Sequence, residues 1–335
     1  MLRHVLASSL ALAALVHAAT PPEASISNGQ VTAKIYLPDA KNGYYRGTRF
    51  DWSGVVHSLT YKGHDFYGPW YQEVRPAVTD FIYEGPNVVT GAASSIPGPV
   101  EEYFTGTTAL GFEQAKPGGT FIKLGIGVLR RPDDKPYNHY TPYEVVDPGK
   151  WTIKKHADNI QFIQEIHGPG GYAYIYTKTV RLAKGSPRMT LEHSLKNIGT
   201  QPIDANGYNH NFLVVDGKGP QPGDKLTAAF NLKTPAPLEN DLAAIEGKSL
   251  VYKKPVEGKD RVFTLLQGYS GDAKDFDFRV DKANGTGFRV TADRPVSRAM
   301  LWSIRTVMSI EPYLEIKVNP GKTTTWTLTY DYFAK

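Results

Sequence analysis

Apolar residues recur at every second position over much of this chain. Val31, Ala33, Ile35 and Leu37 alternate with polar partners, and the same period returns at Ile160 and Phe162, at Tyr172, Tyr174 and Tyr176, and at Met189, Leu191, His193 and Leu195. A period of two places such residues on one face of a strand, so these stretches predict half-buried strands rather than helices. Gly168-Pro169-Gly170-Gly171 and Gly185-Ser186-Pro187 supply the turns of an alternating meander. Further strands are predicted at 261–266, 277–280 and 287–292, the last preceded by an Asn284-Gly285 turn. Residues 84–106 carry many Gly, Pro and Ser and read as a long loop, a feature uncommon unless it serves a site. The Pro- and Lys-rich stretch 220–258 shows one helical turn, at 242–245.

Composition agrees with strands joined by turns. The 335 residues include 32 Gly, 24 Pro, 20 Tyr and 14 Phe, and 41% are hydrophobic, enough for a sizeable core. The net charge is +5, but adjacent basic residues occur only as Arg130-Arg131, Lys154-Lys155 and Lys253-Lys254. Nucleic-acid binding needs a clustered basic footprint, so it is excluded as an expectation. Arg3, the apolar run 5–16 and Val16-His17-Ala18 predict a signal peptide over residues 1–19, with 20–335 as a single exported domain, periplasmic or secreted. That apolar run is shorter than the ~20 residues of a bilayer span, so no membrane insertion is expected once the signal is removed. With no cysteine, export brings no disulfide.

Four stretches carry candidate chemistry. In Gly207-Tyr208-Asn209-His210-Asn211-Phe212 a strand places Tyr208, His210 and Phe212 on one face and Asn209 and Asn211 on the other. Arg46 and Arg49 lie three positions apart and so face opposite ways, so that only one of them can face a given site. Phe121 to Arg131 contains Lys123 and Leu124-Gly125-Ile126-Gly127. Near the end, Ser309-Ile310-Glu311-Pro312-Tyr313 ends a strand, and Pro320-Gly321 turns into a last strand of alternating aromatics. Trp70 offers either a stacking face or a plug for the end of a sandwich. His156, His167 and His193 lack metal-ligand spacing and read as structural or surface residues.

Taken together these stretches resemble the galactose mutarotase-like, or aldose 1-epimerase-like, family. The resemblance implies an all-β fold, a large two-sheet antiparallel β-supersandwich with a sugar cleft on one sheet. It implies His210 as general acid and Glu311 as general base, with Glu315 in reserve. It further implies Arg49, Lys123, Asn209 and Arg305 as residues that hold sugar hydroxyls, a mono- or oligosaccharide partner, and no metal or organic cofactor. A departure accompanies it: the family's Leu-His-Gly-Gly motif has only Leu124-Gly125-Ile126-Gly127 as counterpart. Lys123, or else His139, then takes the place of the missing histidine.

Three functions stand on this reading: interconversion of sugar anomers by acid–base catalysis, carbohydrate binding without catalysis, and glycan cleavage by a related lyase or hydrolase. The last needs a second carboxylate beside Glu311, for which Glu101, Glu102 and Asp216 are the candidates. The sequence has no His-Glu-x-x-His, P-loop or Gly-x-Ser-x-Gly pattern, which argues against zincins, P-loop nucleotidases and α/β-hydrolases. It leaves the sugar and the oligomeric state open.

Overall fold

Alternation in the sequence becomes alternation in burial. Along the strand Arg188–Asn197, Met189, Leu191, His193 and Leu195 all turn inward. The computed structural model describes residues 20–335, so the proposed signal peptide lies outside the described residues. Asn159–His167, Ala173–Leu182, Arg188–Asn197 and Thr323–Phe333 pair in succession within a ten-stranded antiparallel sheet. Facing it is a five-stranded sheet ordered Val262–Leu265, Arg298–Ile304, Val307–Val318, Ile203–Phe212, Gly98–Phe104. Tyr174, Leu191 and Leu328 of the large sheet belong to one buried core with Ala205, Leu301 and Ile316 of the smaller sheet. Each fully buried Leu or Phe contributes about 1.5–3 kcal/mol, so a core of this extent holds the two sheets together.

The smaller sheet is covered on its other face as well. Phe50, Trp70, Phe121 and Ile126, from segments outside this sheet, pack with Tyr208 and Phe212 of the sheet into a second buried cluster. A strand between two such layers is buried on both sides. Gly98–Phe104 is such a strand, and the adjacent Glu101 and Glu102 therefore point in opposite directions and are both buried.

Three expectations are corrected. Residues 84–106 are not one long loop: they contain the strands Asn87–Thr90 and Gly98–Phe104. Gly98 starts the second with a φ of 83°, and a Cβ there would collide with the Val56 carbonyl oxygen, so the glycine marks a close approach of strands rather than a loop. The helical turn at 242–245 is instead the strand Ala243–Glu246, preceded by a short 3-10 turn at Glu239–Asp241. Finally, the strand expected to end at Glu311-Pro312 continues through them, from Val307 to Val318.

Candidate active site

Pro312 interrupts the centre of the smaller sheet without ending it. The ladder between Ile203–Phe212 and Val307–Val318 runs as far as Tyr208 opposite Tyr313 and resumes, in the same register, at Leu213 opposite Met308. Between those points Pro312 has no N–H to donate. The Asn211 side chain fills part of the gap, its Nδ2 donating to the Ile310 carbonyl at 2.7 Å. Continuing the register across the break sets His210 opposite Glu311, and His210 Nε2 lies 3.3 Å from Glu311 Oε1.

This pair lies at the floor of a cleft of about 160 Å³. Aromatic rings enclose His210. It stacks on Phe212 at 3.6 Å, Phe212 stacks on Trp70 at 5.5 Å, and Phe50 and Trp302 present their edges to the imidazole at 5.7 Å each. Trp70 is thus both a cleft wall and buried support for the histidine. Desolvation by these rings drives the His210 pKa well below the ordinary histidine value, with the Arg49 charge adding to the effect. Burial likewise pushes the Glu311 carboxyl up to about 8; Arg49 opposes this and Glu102 reinforces it.

At neutral pH the pair therefore holds one proton, carried by Glu311. Nε2 is the ring nitrogen that faces Glu311, while Nδ1 shares a hydrogen bond of 2.7 Å with Ser309 Oγ whose direction follows the imidazole tautomer. The polar wall of the cleft is built around Arg49, whose guanidinium lies over the rings of Phe50 and Tyr140. Its donors are committed to Glu102 at 3.0 Å, Ser94 at 3.0 Å and the Tyr208 hydroxyl at 3.1 Å. Asp80 shares this wall, accepting from Ser94 at 2.5 Å and standing 3.6 Å from Arg49.

No family model matches the chain, and no curated protein matches it in sequence. Solved structures do match in fold. A galactose mutarotase related enzyme from Lactobacillus acidophilus aligns with a TM-score of 0.53 at 10% identity, over 93% of this chain and 98% of that one. The fold is galactose mutarotase-like. A GalM/aldose epimerase homologue from C. elegans gives a TM-score of 0.53 at 13% identity, over 94% of this chain and 99% of its own. At such identities the likeness concerns the path of the chain; what this cleft can do rests on its own residues.

The mutarotase-like framework brings together three of the six residues singled out from the sequence. His210, Glu311 and Arg49 line the one cleft, whereas Arg46 turns away and donates to the Lys41 carbonyl. The other three lie elsewhere. Lys123 is buried beneath the polar wall, its ammonium 3.0 Å from Glu102 and over the Phe104 ring, so it is a counter-ion with no access to a ligand. His139 binds the same carboxylate at 3.0 Å. Asn209 faces the sandwich interior, where its Nδ2 donates to Glu101 and its carbonyl oxygen accepts from Tyr330, because a residue next to His210 in a strand must take the opposite face. Arg305 sits in the turn between two strands and donates to the carbonyls of Gly85, Asn87 and Gly258, pinning surface segments together.

The carboxylates expected to partner Glu311 are also committed. Glu101 binds Lys178 and His193, Glu102 binds Arg49, Lys123 and His139, and Asp216 binds His64. Glu315 is exposed and pairs with Lys317. The carboxylate that does share the cleft with Glu311 is Asp80, which the sequence reading missed along with Ser94, Tyr140 and Ser309. Ser309 was accessible to that reading, since it lies two residues from Glu311 and so on the same strand face. Asp80, Ser94 and Tyr140 come from irregular segments whose periodicity carries no such signal.

Proposed function

We propose that this cleft opens and closes the ring of an aldose, interconverting its anomers, with Glu311 and His210 as the acid–base pair. The observation that carries the proposal is the His210–Glu311 contact of 3.3 Å at the floor of the cleft, between two groups whose environments leave them one shared proton. Ring opening removes a proton from the anomeric hydroxyl and delivers one to the ring oxygen, two oxygens borne by the same carbon. Two adjacent groups that exchange a single proton fit that demand.

Protons balance over the cycle. The shared proton first passes from Glu311 to His210; Glu311, then a carboxylate, takes the proton of the anomeric hydroxyl while imidazolium His210 protonates the ring oxygen, and the bond from the anomeric carbon to the ring oxygen breaks. The pair is left as carboxylic acid and neutral imidazole, the arrangement its electrostatics favour. After the carbonyl turns, Glu311 returns its proton to the carbonyl oxygen, His210 takes the one on the ring-derived hydroxyl, and the ring closes from the other face. The relatives' descriptions as mutarotase-related and aldose epimerase proteins support the same reaction class. The cleft is smaller than the about 300–1,000 Å³ common for drug-sized ligands, which favours a single ring on the catalytic pair.

Calorimetric titration against a panel of aldoses tests the binding half of this proposal. At least one pyranose should bind, and Asp80→Ala should weaken it by about tenfold or more, because a hydrogen bond between a sugar hydroxyl and a charged group is lost. If no sugar in a broad panel binds, the proposal fails. A second reading, glycoside hydrolysis, draws on Asp80 as a second carboxylate in the same cleft. It would show as release of new reducing ends without anomer exchange.

A further inference from the structure

The outer face of the five-stranded sheet is a grid, and the cleft occupies only part of it. The backbone registers place Met300 opposite Glu311, then Arg298 opposite Tyr313 opposite Tyr208 opposite Glu102, then Glu315 opposite Asn206 opposite Phe104. Successive rows lie about 7 Å apart, two residues of extended chain. The first row belongs to the cleft. Arg298 and Tyr313 of the second row, with Glu315, Asn206 and Phe104 of the third, line a second depression of about 420 Å³, and Tyr313 is the wall common to both.

Charge in this second depression is unbalanced. Glu315 is taken by Lys317 at 2.9 Å. Arg298 is exposed and, among the described residues, makes neither an ion pair nor a side-chain hydrogen bond. It is nevertheless held in place: Phe104, Tyr208 and Tyr313 form a ring stack, with separations of 6.0 and 4.6 Å, and the Arg298 guanidinium lies 5.4 Å from the Tyr313 ring centre at the end of that stack. This contact leaves the guanidinium N–H fork without a hydrogen-bond partner among the described residues, a form suited to a planar carboxylate. Asn206 supplies a neutral amide in the same depression.

Resting on the sugar reading of the cleft, we infer that the ligand is an acidic oligosaccharide. Its reducing-end ring occupies the catalytic cleft, and the next unit lies over Tyr313 and Asn206 with its carboxylate on Arg298. The expected consequence is selectivity between two ligands that present the same ring to Glu311 and His210.

Calorimetry with four probes separates the possibilities: a reducing monosaccharide, a neutral disaccharide that ends in it, the same disaccharide with a uronate as its second unit, and the monosaccharide carrying a phosphate. The uronate disaccharide should bind about tenfold or more tighter than the neutral one. That margin should shrink as ionic strength rises, as it does for exposed charges. Arg298→Gln should abolish the margin and Arg298→Lys retain part of it, while the affinity for the monosaccharide stays within about twofold. Equal affinities for the two disaccharides, or a margin that survives Arg298→Gln, overturn the inference and leave anomer exchange on the monosaccharide untouched. An equal Arg298-dependent gain for the sugar phosphate also overturns it, by placing the anion on the first ring. Absence of binding to all four probes would instead remove the sugar reading itself.

Discussion

Glu311→Gln and His210→Ala are each expected to lower the rate of anomer exchange by about 10²–10⁴-fold, the contribution of one positioned acid or base, while leaving sugar affinity within a few fold. In Glu311→Gln the new amide would keep the shape of a protonated carboxyl but could not accept a proton, so ring opening would lose its base without loss of the cleft. Removing the imidazole takes the proton donor for the ring oxygen and also the partner that Ser309 orients at 2.7 Å. The two losses should not add in the double variant, because either deletion leaves the other group without a partner for proton exchange. Polarimetry on freshly dissolved sugar measures all three proteins.

The second large effect concerns stability, not chemistry. Lys178 is buried inside the sandwich, where its ammonium binds Glu101, lies 3.5 Å from Asp51 and donates to the Ser53 carbonyl at 2.9 Å. Burial alone would raise the Glu101 pKa; the Lys178 charge and His193 outweigh it and hold Glu101 at about 2. Lys178→Met should therefore cost about 3–5 kcal/mol in denaturant unfolding, because it leaves two buried carboxyl groups without their cation. Glu101→Gln in the same chain should recover part of that loss. Lys123→Met is the comparison: Glu102 would keep Arg49, His139 and the Tyr208 hydroxyl, so the cost should be smaller.

Much of this fold could be read directly from period-two alternation, because one face of a strand such as Arg188–Asn197 meets the core and the other does not. That signal vanishes where a strand is covered on both faces. Gly98–Phe104 has no polar side to alternate with, and its Glu-Glu pair and nearby glycines look like loop chemistry until the layers above and below are known. For the site, the strand period placed Tyr208, His210 and Phe212 together, and the registers put Asn209 on the opposite face. That same rule, applied consistently, argues against Asn209 as a neighbour of a ligand that His210 touches. Lys123 and Arg305 show another limit. Whether a cation meets a ligand, a buried carboxylate or a set of backbone carbonyls depends on partners far away in the chain, here Glu102 and the carbonyls of Gly85 and Gly258.

The acid–base pair makes a specific demand on pH. Catalysis needs a single proton on the two groups: a second protonates both and removes the base, and loss of the first removes the acid. The upper limb should then follow the proton that Glu311 holds, with activity falling above pH about 8. The lower limb should lie beneath the ordinary histidine value of 6.5, because burial lowers the His210 pKa. These apparent values belong to the coupled pair and not to either residue alone. NMR exchange between anomers of a bound aldose, followed as kcat/KM across this range, tests the central claim most directly. The wild type should give a bell with those two limbs, and Glu311→Gln should lose it. Exchange at the uncatalysed rate, or a catalysed rate that runs level through pH 8 and survives Glu311→Gln, would contradict the claim.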